Sequence, residues 1–193
     1  MGENRAWTVA VVCGASGVGK SSVALPLADR CGVSLGATDD IITALRTITT
    51  PHDQPLLHHW DTHPECRSWS PAQIADLHLS VSDVVLAGMR AVIADHLECA
   101  VPVVLEGEHL VPELATGFGD AVRGVVLYEP DADRIAANRR AREPDLDHHD
   151  FRAEVSVEIG ARLAVRARAL GVPVVRPSPW QDGVSRVLAA LSR

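Results

Sequence analysis

The chain has no Cys-x-x-Cys spacing, no surplus of basic side chains, no internal repeat and no low-complexity tract. Its cysteines, Cys13, Cys31, Cys66 and Cys99, are scattered through a chain of 193 residues. A chain of that length folds around its own core without covalent staples, so reduced thiols are expected rather than a disulfide framework. A formal net charge of -7 opposes a nucleic-acid-binding surface, which gathers Lys and Arg against phosphate. The opening Met-Gly-Glu-Asn-Arg-Ala-Trp lacks the basic start, apolar stretch and cleavage site of a secretory leader. Gly2 is followed by Ala6, where a myristoylation signal has Ser or Thr. No run reads as long enough to span a bilayer. These absences lead to the expectation of a cytoplasmic protein with neither membrane nor nucleic acid as partner, a monomer or homodimer acting on a small molecule.

The hydrophobic content of 47% and charged content of 22% suit one globular domain over residues 1–193. Short β-rich runs at 7–13, 33–37, 101–105, 123–128 and 172–175 alternate with helical patterns at 20–30, 41–46, 131–142, 151–170 and 183–191. Ser70-Pro71-Ala72-Gln73 carries a helix cap, a first-turn proline and a capping-box glutamine, so a long helix or helix pair begins there. Its core stripe is Val85, Met89, Val92, Ile93 and Leu97. Pro26 predicts a lost hydrogen bond and a local kink in the first helix. Strands alternating with helices indicate an α/β fold with a parallel sheet. Residues 47–70, with Pro51, Pro55, Pro64, four histidines and two tryptophans, read as an irregular segment over a binding site.

Gly14-Ala15-Ser16-Gly17-Val18-Gly19-Lys20-Ser21 matches Gly-x4-Gly-Lys-[Ser/Thr] between a strand and a helix. The glycines let backbone N–H groups turn inward around phosphate, and the helix N-terminus adds a favourable field. Residues 14–22, Ser22 included, are therefore the expected ATP-binding loop. Lys20 reaches the β- and γ-phosphates, and Ser21 holds Mg²⁺. Ligands of an open parallel sheet bind beyond the carboxyl ends of its strands, where this chain has carboxylates. Asp39 and Asp40 follow the second strand as candidates to accept or orient an acceptor hydroxyl, with helix capping as the alternative. Glu106 follows the third strand in the place of an acid that organises Mg²⁺, and Glu108 lies on the substrate side.

Arg134, Arg139, Arg140 and Arg142 gather on one helix and its exit, and residues 134–150 form the expected lid. Arg139 and Arg140 are the catalytic candidates, although adjacent helical residues cannot face the same way. His52, His58, His59, His63 and Cys66 match no standard zinc spacing and read as pocket or surface residues.

The phosphate loop with its continuation Ser22-Val23-Ala24 is one part of a wider pattern. It is joined by Thr38-Asp39-Asp40-Ile41 leading to Leu45-Arg46, by Leu105-Glu106-Gly107-Glu108-His109-Leu110-Val111-Pro112, and by Ala169-Leu170-Gly171-Val172-Pro173-Val174. Together they resemble the 2-phosphoglycerate kinase family of P-loop small-molecule kinases over most of residues 10–180. The resemblance implies a nucleoside-kinase-like three-layer P-loop NTPase core with strand order 2-3-1-4-5, ATP and Mg²⁺ as cofactors, and a phosphorylated or carboxylated small acceptor. Asp39, Asp40, Arg46 and Glu108 are then its candidate contacts, and a separate acceptor-binding segment is expected at about 47–80. The His/Trp-rich stretch at 52–69 is this chain's own departure. Leu35-Gly36-Ala37-Thr38-Asp39 also resembles the chloramphenicol phosphotransferases, which leaves a neutral natural-product acceptor as the second reading. A nucleotide-binding regulator with little transfer activity is the third, and a zinc hydrolase using the histidines the fourth.

Overall fold

The computed structural model describes residues 5–192. Five strands, β1 (Val9–Cys13), β2 (Ser34–Ala37), β3 (Val103–Glu106), β4 (Val122–Leu127) and β5 (Val174–Val175), pair in parallel in the order β2-β3-β1-β4-β5. Every residue of β1 and β3 is buried, as near-continuous apolar runs require when helices cover both faces of a sheet. The helices are α1 (Lys20–Cys31), α2 (Thr38–Ile48), α3 (His59–Thr62), α4 (Pro71–Glu98), α5 (Ala132–Arg142), α6 (His149–Ala169) and α7 (Gly183–Leu191).

The sequence places a helix at 41–46, but α2 starts at Thr38, directly after β2. Asp39 and Asp40 therefore occupy its first turn, where carboxylates oppose the partial positive charge of the helix end. The stretch after α2 holds only α3 and a 3-10 turn at Pro64–Ser68. Its polar side chains are spent locally: Thr49 Oγ1 lies 3.1 Å from His58 Nε2, and His59 Nε2 lies 3.0 Å from Cys66 Sγ. Among the described residues no group of three or more His, Cys, Asp or Glu is arranged to hold a metal ion.

α4 is one unbroken helix of 28 residues. The Ser70 backbone N–H donates to Gln73 Oε1 at 3.0 Å while the Gln73 N–H donates to Ser70 Oγ at 3.4 Å, closing the capping box. By length and composition α4 is apolar enough to cross a membrane, which corrects the expectation that no run qualifies. Its buried stripe of Val81, Val85, Met89 and Ile93 belongs to the hydrophobic core. Its polar face is tied to α6: Arg166 donates to Asp83 Oδ1 at 2.8 Å, and Arg162 Nε lies 3.2 Å from Asp76. Arg166 also donates to Glu113 Oε1 at 2.7 Å, reaching the 3-10 turn at Pro112–Ala115.

Candidate active site

The phosphate loop leaves the buried end of β1 and turns into α1. Gly17 and Gly19 have φ of +77° and +91°, a backbone conformation that side chains resist. A Cβ at Gly17 would lie 2.9 Å from Arg139 Cγ, and one at Gly19 would lie 2.0 Å from Trp180 Cη2. The two glycines thus let α5 and the loop before α7 close directly onto the phosphate loop. Ala15 and Val18 are buried beneath it, and Asn138 Nδ2 donates to the Gly17 carbonyl at 3.0 Å.

Lys20 is the only lysine in the chain. It is 7% exposed, and its Nζ donates to the Ala15 carbonyl at 3.0 Å. Burial pulls its pKa below the ordinary value against the opposing pull of Glu108, Glu106 and Asp39. Ser21 Oγ donates to Glu106 Oε1 at 2.9 Å, so the start of α1 is joined to the end of β3. Thr38 Oγ1 donates to the Glu106 carbonyl at 3.1 Å, and the Glu108 N–H donates to Asp39 Oδ1 at 2.9 Å. Burial pushes the Glu108 carboxyl up, but Lys20 and a hydrogen bond with Ser16 outweigh it and hold the group below the usual carboxylate range.

Two cavities flank this centre. One, of about 480 Å³, runs from Gly19, Lys20, Ser21 and Ser22 to Asn138, Arg142 and Trp180. The other, of about 550 Å³, lies past Ser16 and is faced by Arg46, Arg139, Arg152, Glu108 and the rings of His78 and His109. Arg139 is 1% exposed and donates from Nη1 to Ser16 Oγ at 2.7 Å. Its Nε and Nη2 are buried without a hydrogen bond, and Glu143 Oε2 is 3.7 Å from Nη2. Arg140 points the other way, to Asp150 at the surface. Arg142 pairs with Glu143, and Arg134 lies 3.7 Å from Glu129. Arg46 donates to Asp61 Oδ2 at 2.7 Å at the cavity edge, and Asp39 and Asp40 are both exposed and line neither cavity.

Sequence reasoning passed over the histidines that matter most here. His78 and His109 stack with centroids 4.3 Å apart. His78 Nε2 is 2.8 Å from the Glu108 carbonyl, which only accepts, so Nε2 carries the proton. Ser82 Oγ donates to the His78 carbonyl at 2.9 Å and therefore accepts from His109 Nδ1 at 3.2 Å. Burial pulls both imidazoles down, His109 to about 4. Both are neutral at physiological pH. His109 stands inside the Glu-Gly-Glu-His stretch, a signal that was present, whereas nothing in the sequence links it to His78. Trp180, Asn138 and Arg152 were also missed. Trp180 follows the last strand, and its loop is held by Glu129, which accepts from Arg176 at 2.6 Å and from Ser178 at 2.5 Å.

Curated proteins bearing the name 2-phosphoglycerate kinase align with nearly the whole chain, among them the following three. That of Pyrococcus horikoshii is 28% identical over 186 residues, covering 91% of this chain and 61% of the relative. That of Methanococcus vannielii is 26% identical over 196 residues, covering 93% and 63%. That of Pyrococcus furiosus is 29% identical over 189 residues, covering 91% and 61%. The chain is similar to the 2-phosphoglycerate kinases. It spans between 61% and 63% of the length of these relatives, and no protein-family model matches it. The fold has wider company than the 2-phosphoglycerate kinases. The shikimate kinase from Acinetobacter baumannii in complex with shikimate superposes with a TM-score of 0.53 at 14% identity, covering 95% of this chain and 89% of that one. A gluconokinase from Sinorhizobium meliloti 1021 gives 0.52 at 19% identity, covering 98% and 94%. TT1252 from Thermus thermophilus gives 0.55 at 16% identity, covering 96% of each. The architecture is that of the P-loop kinases, with the parallel sheet in the order 2-3-1-4-5.

Proposed function

We propose that the chain is an ATP-dependent small-molecule kinase that transfers the γ-phosphoryl group to a hydroxyl of an anionic acceptor. The name shared by its relatives makes 2-phosphoglycerate the first acceptor to assay. The observation that carries this reading is Arg139. Its guanidinium is desolvated between the phosphate loop and the larger cavity, and two of its nitrogens make no hydrogen bond. Buried donors are costly unless an acceptor meets them, and an anion at that point meets both. Arg46 and Arg152 face the same cavity, which suits an anionic acceptor better than a neutral one.

In this reading the amides of residues 14–22 and Lys20 hold the ATP phosphates, with the base in the cavity beside Trp180 and Arg142. Ser21 and Glu106 offer a hydroxyl and a carboxylate within 2.9 Å of each other, the oxygen donors a hard divalent cation takes. They would hold Mg²⁺, which neutralises charge on the β- and γ-phosphates. Asp39, fixed through the Glu108 amide, orients the acceptor hydroxyl and takes its proton. Arg139 rather than Arg140 faces the transferring group, and Glu108 borders the acceptor. Lys20→Ala should abolish acceptor-dependent ADP formation while cooperative unfolding persists. Undiminished transfer in that variant would overturn the reading, and ATP binding with no acceptor among anionic metabolites would favour a regulator instead.

A further inference from the structure

The larger cavity is lined by more than charge. Beside the arginines, Trp60 of α3, Ile74 of α4, and Phe151, Val155 and Ile159 of α6 turn apolar side chains into the same space. Trp60 and Phe151 are 40% and 37% exposed, yet they stand 91 residues apart in sequence and converge on one cleft. Single exposed aromatics scattered on a surface mean little, but convergence in a concave site beside charged groups marks a ligand surface. The cavity, about 550 Å³, falls within the roughly 300–1,000 Å³ of clefts that enclose drug-sized ligands. His78 and His109 add no charge to it, so its ionic character comes from Arg46, Arg139 and Arg152, offset by Glu108, by Asp61 paired with Arg46 and by Glu143 beside Arg139 and Arg152.

We infer that the acceptor is an amphiphilic anion: a hydroxylated carboxylate or phosphate ester whose aromatic or branched aliphatic body covers Trp60 and Phe151 while its anionic end meets the arginines. This rests on the kinase reading and narrows its substrate class. The phosphoryl balance is that of any alcohol kinase: the acceptor oxygen bonds the γ-phosphorus, the bond to the ADP oxygen breaks, and the hydroxyl proton passes to Asp39.

The experiment compares kcat/KM for 2-phosphoglycerate with that for phenyllactate and for a panel of hydroxy acids bearing aryl or branched alkyl groups. Apolar bodies should be favoured about tenfold or more, since even one methylene in an apolar pocket is worth about tenfold or more. Trp60→Ala and Phe151→Ala should raise KM for those acceptors by a similar factor, leaving KM for ATP within about twofold. Trp60→Phe should restore most of the loss, which a folding defect would not do. Preferential turnover of 2-phosphoglycerate, indifferent to both alanine variants, would overturn this inference and leave the kinase standing. No transfer to any acceptor by a protein that binds Mg-ATP would overturn both.

Discussion

Replacing Gly107 with Ala tests how the acidic end of β3 is built. An added Cβ would lie 2.0 Å from Thr38 Oγ1 and 2.9 Å from Asp39 Oδ1. Thr38 is 1% exposed and starts α2, so it cannot swing aside as a surface side chain does. Relief requires the first turn of α2 to back away from β3. That movement breaks the Thr38 hydrogen bond to the Glu106 carbonyl and the Glu108 N–H bond to Asp39. Two such bonds are worth about 1 kcal/mol each, and overpacking a tight site adds roughly 1–3 kcal/mol. The expected destabilisation is therefore about 3–5 kcal/mol, a large part of a stability of roughly 5–15 kcal/mol. Urea unfolding of parent and variant measures it, and a turnover assay on the surviving folded fraction reports whether Asp39 has moved. A variant within about 0.5 kcal/mol of the parent and with unchanged turnover would show that Gly107 is not what lets the first turn of α2 approach the end of β3.

Three further outcomes are expected. Ser70→Ala should lower stability by about 0.5–2 kcal/mol without altering Mg-ATP affinity, because it removes only the cap of α4; unchanged urea midpoints would contradict the role of that box. The His109 pKa falls from an ordinary 6.5 to about 4 in the fold, so below pH 6.5 the unfolded chain takes a proton that the folded chain refuses. Stability should then decline as pH drops from 6.5 towards 4, by on the order of 3 kcal/mol, with His78 acting in the same direction; His109→Phe should flatten that slope, and an unchanged slope would count against a buried neutral imidazole. An amine-reactive acyl-phosphate analogue of ATP should label one side chain, Lys20, and excess Mg-ATP should protect it; peptide mapping that finds no labelled Lys20 would argue against nucleotide in the loop.

The strands were legible because β-branched runs such as Val9–Cys13 and Val103–Glu106 carry their own signature. Their order came only through resemblance, since pairing Val11 with Leu105 is a contact across nearly half of the chain that no local pattern encodes. The start of α2 was missed because Ala37 provides no side-chain cap, the usual mark of a helix beginning. Between Arg139 and Arg140 the deciding clue lay one turn earlier: Ile135 and Ala136 are the buried face of α5, and Arg139 continues it. Ser21 meeting Glu106 joins residues 85 apart, and His78 meeting His109 joins residues on different elements. Only folding reveals those. In the histidine-rich stretch the imidazoles serve neighbours such as Thr49, Thr62 and Cys66, while Trp60 among them reaches the cavity.

The arginine fasteners of α6 decide where this molecule is able to bend. Arg162 and Arg166 pin the second half of the helix to α4 and to the Pro112–Ala115 turn. The stretch before it is held by surface ion pairs such as Arg140 with Asp150 and Arg142 with Glu143, and His148 sits there at a left-handed φ of 64°. A rearrangement carrying Arg139 towards a bound molecule must therefore pivot near residue 148, with α6 and its Arg152 standing still. Amide exchange should slow upon ligand addition from about residue 139 to residue 148 and stay constant along α6.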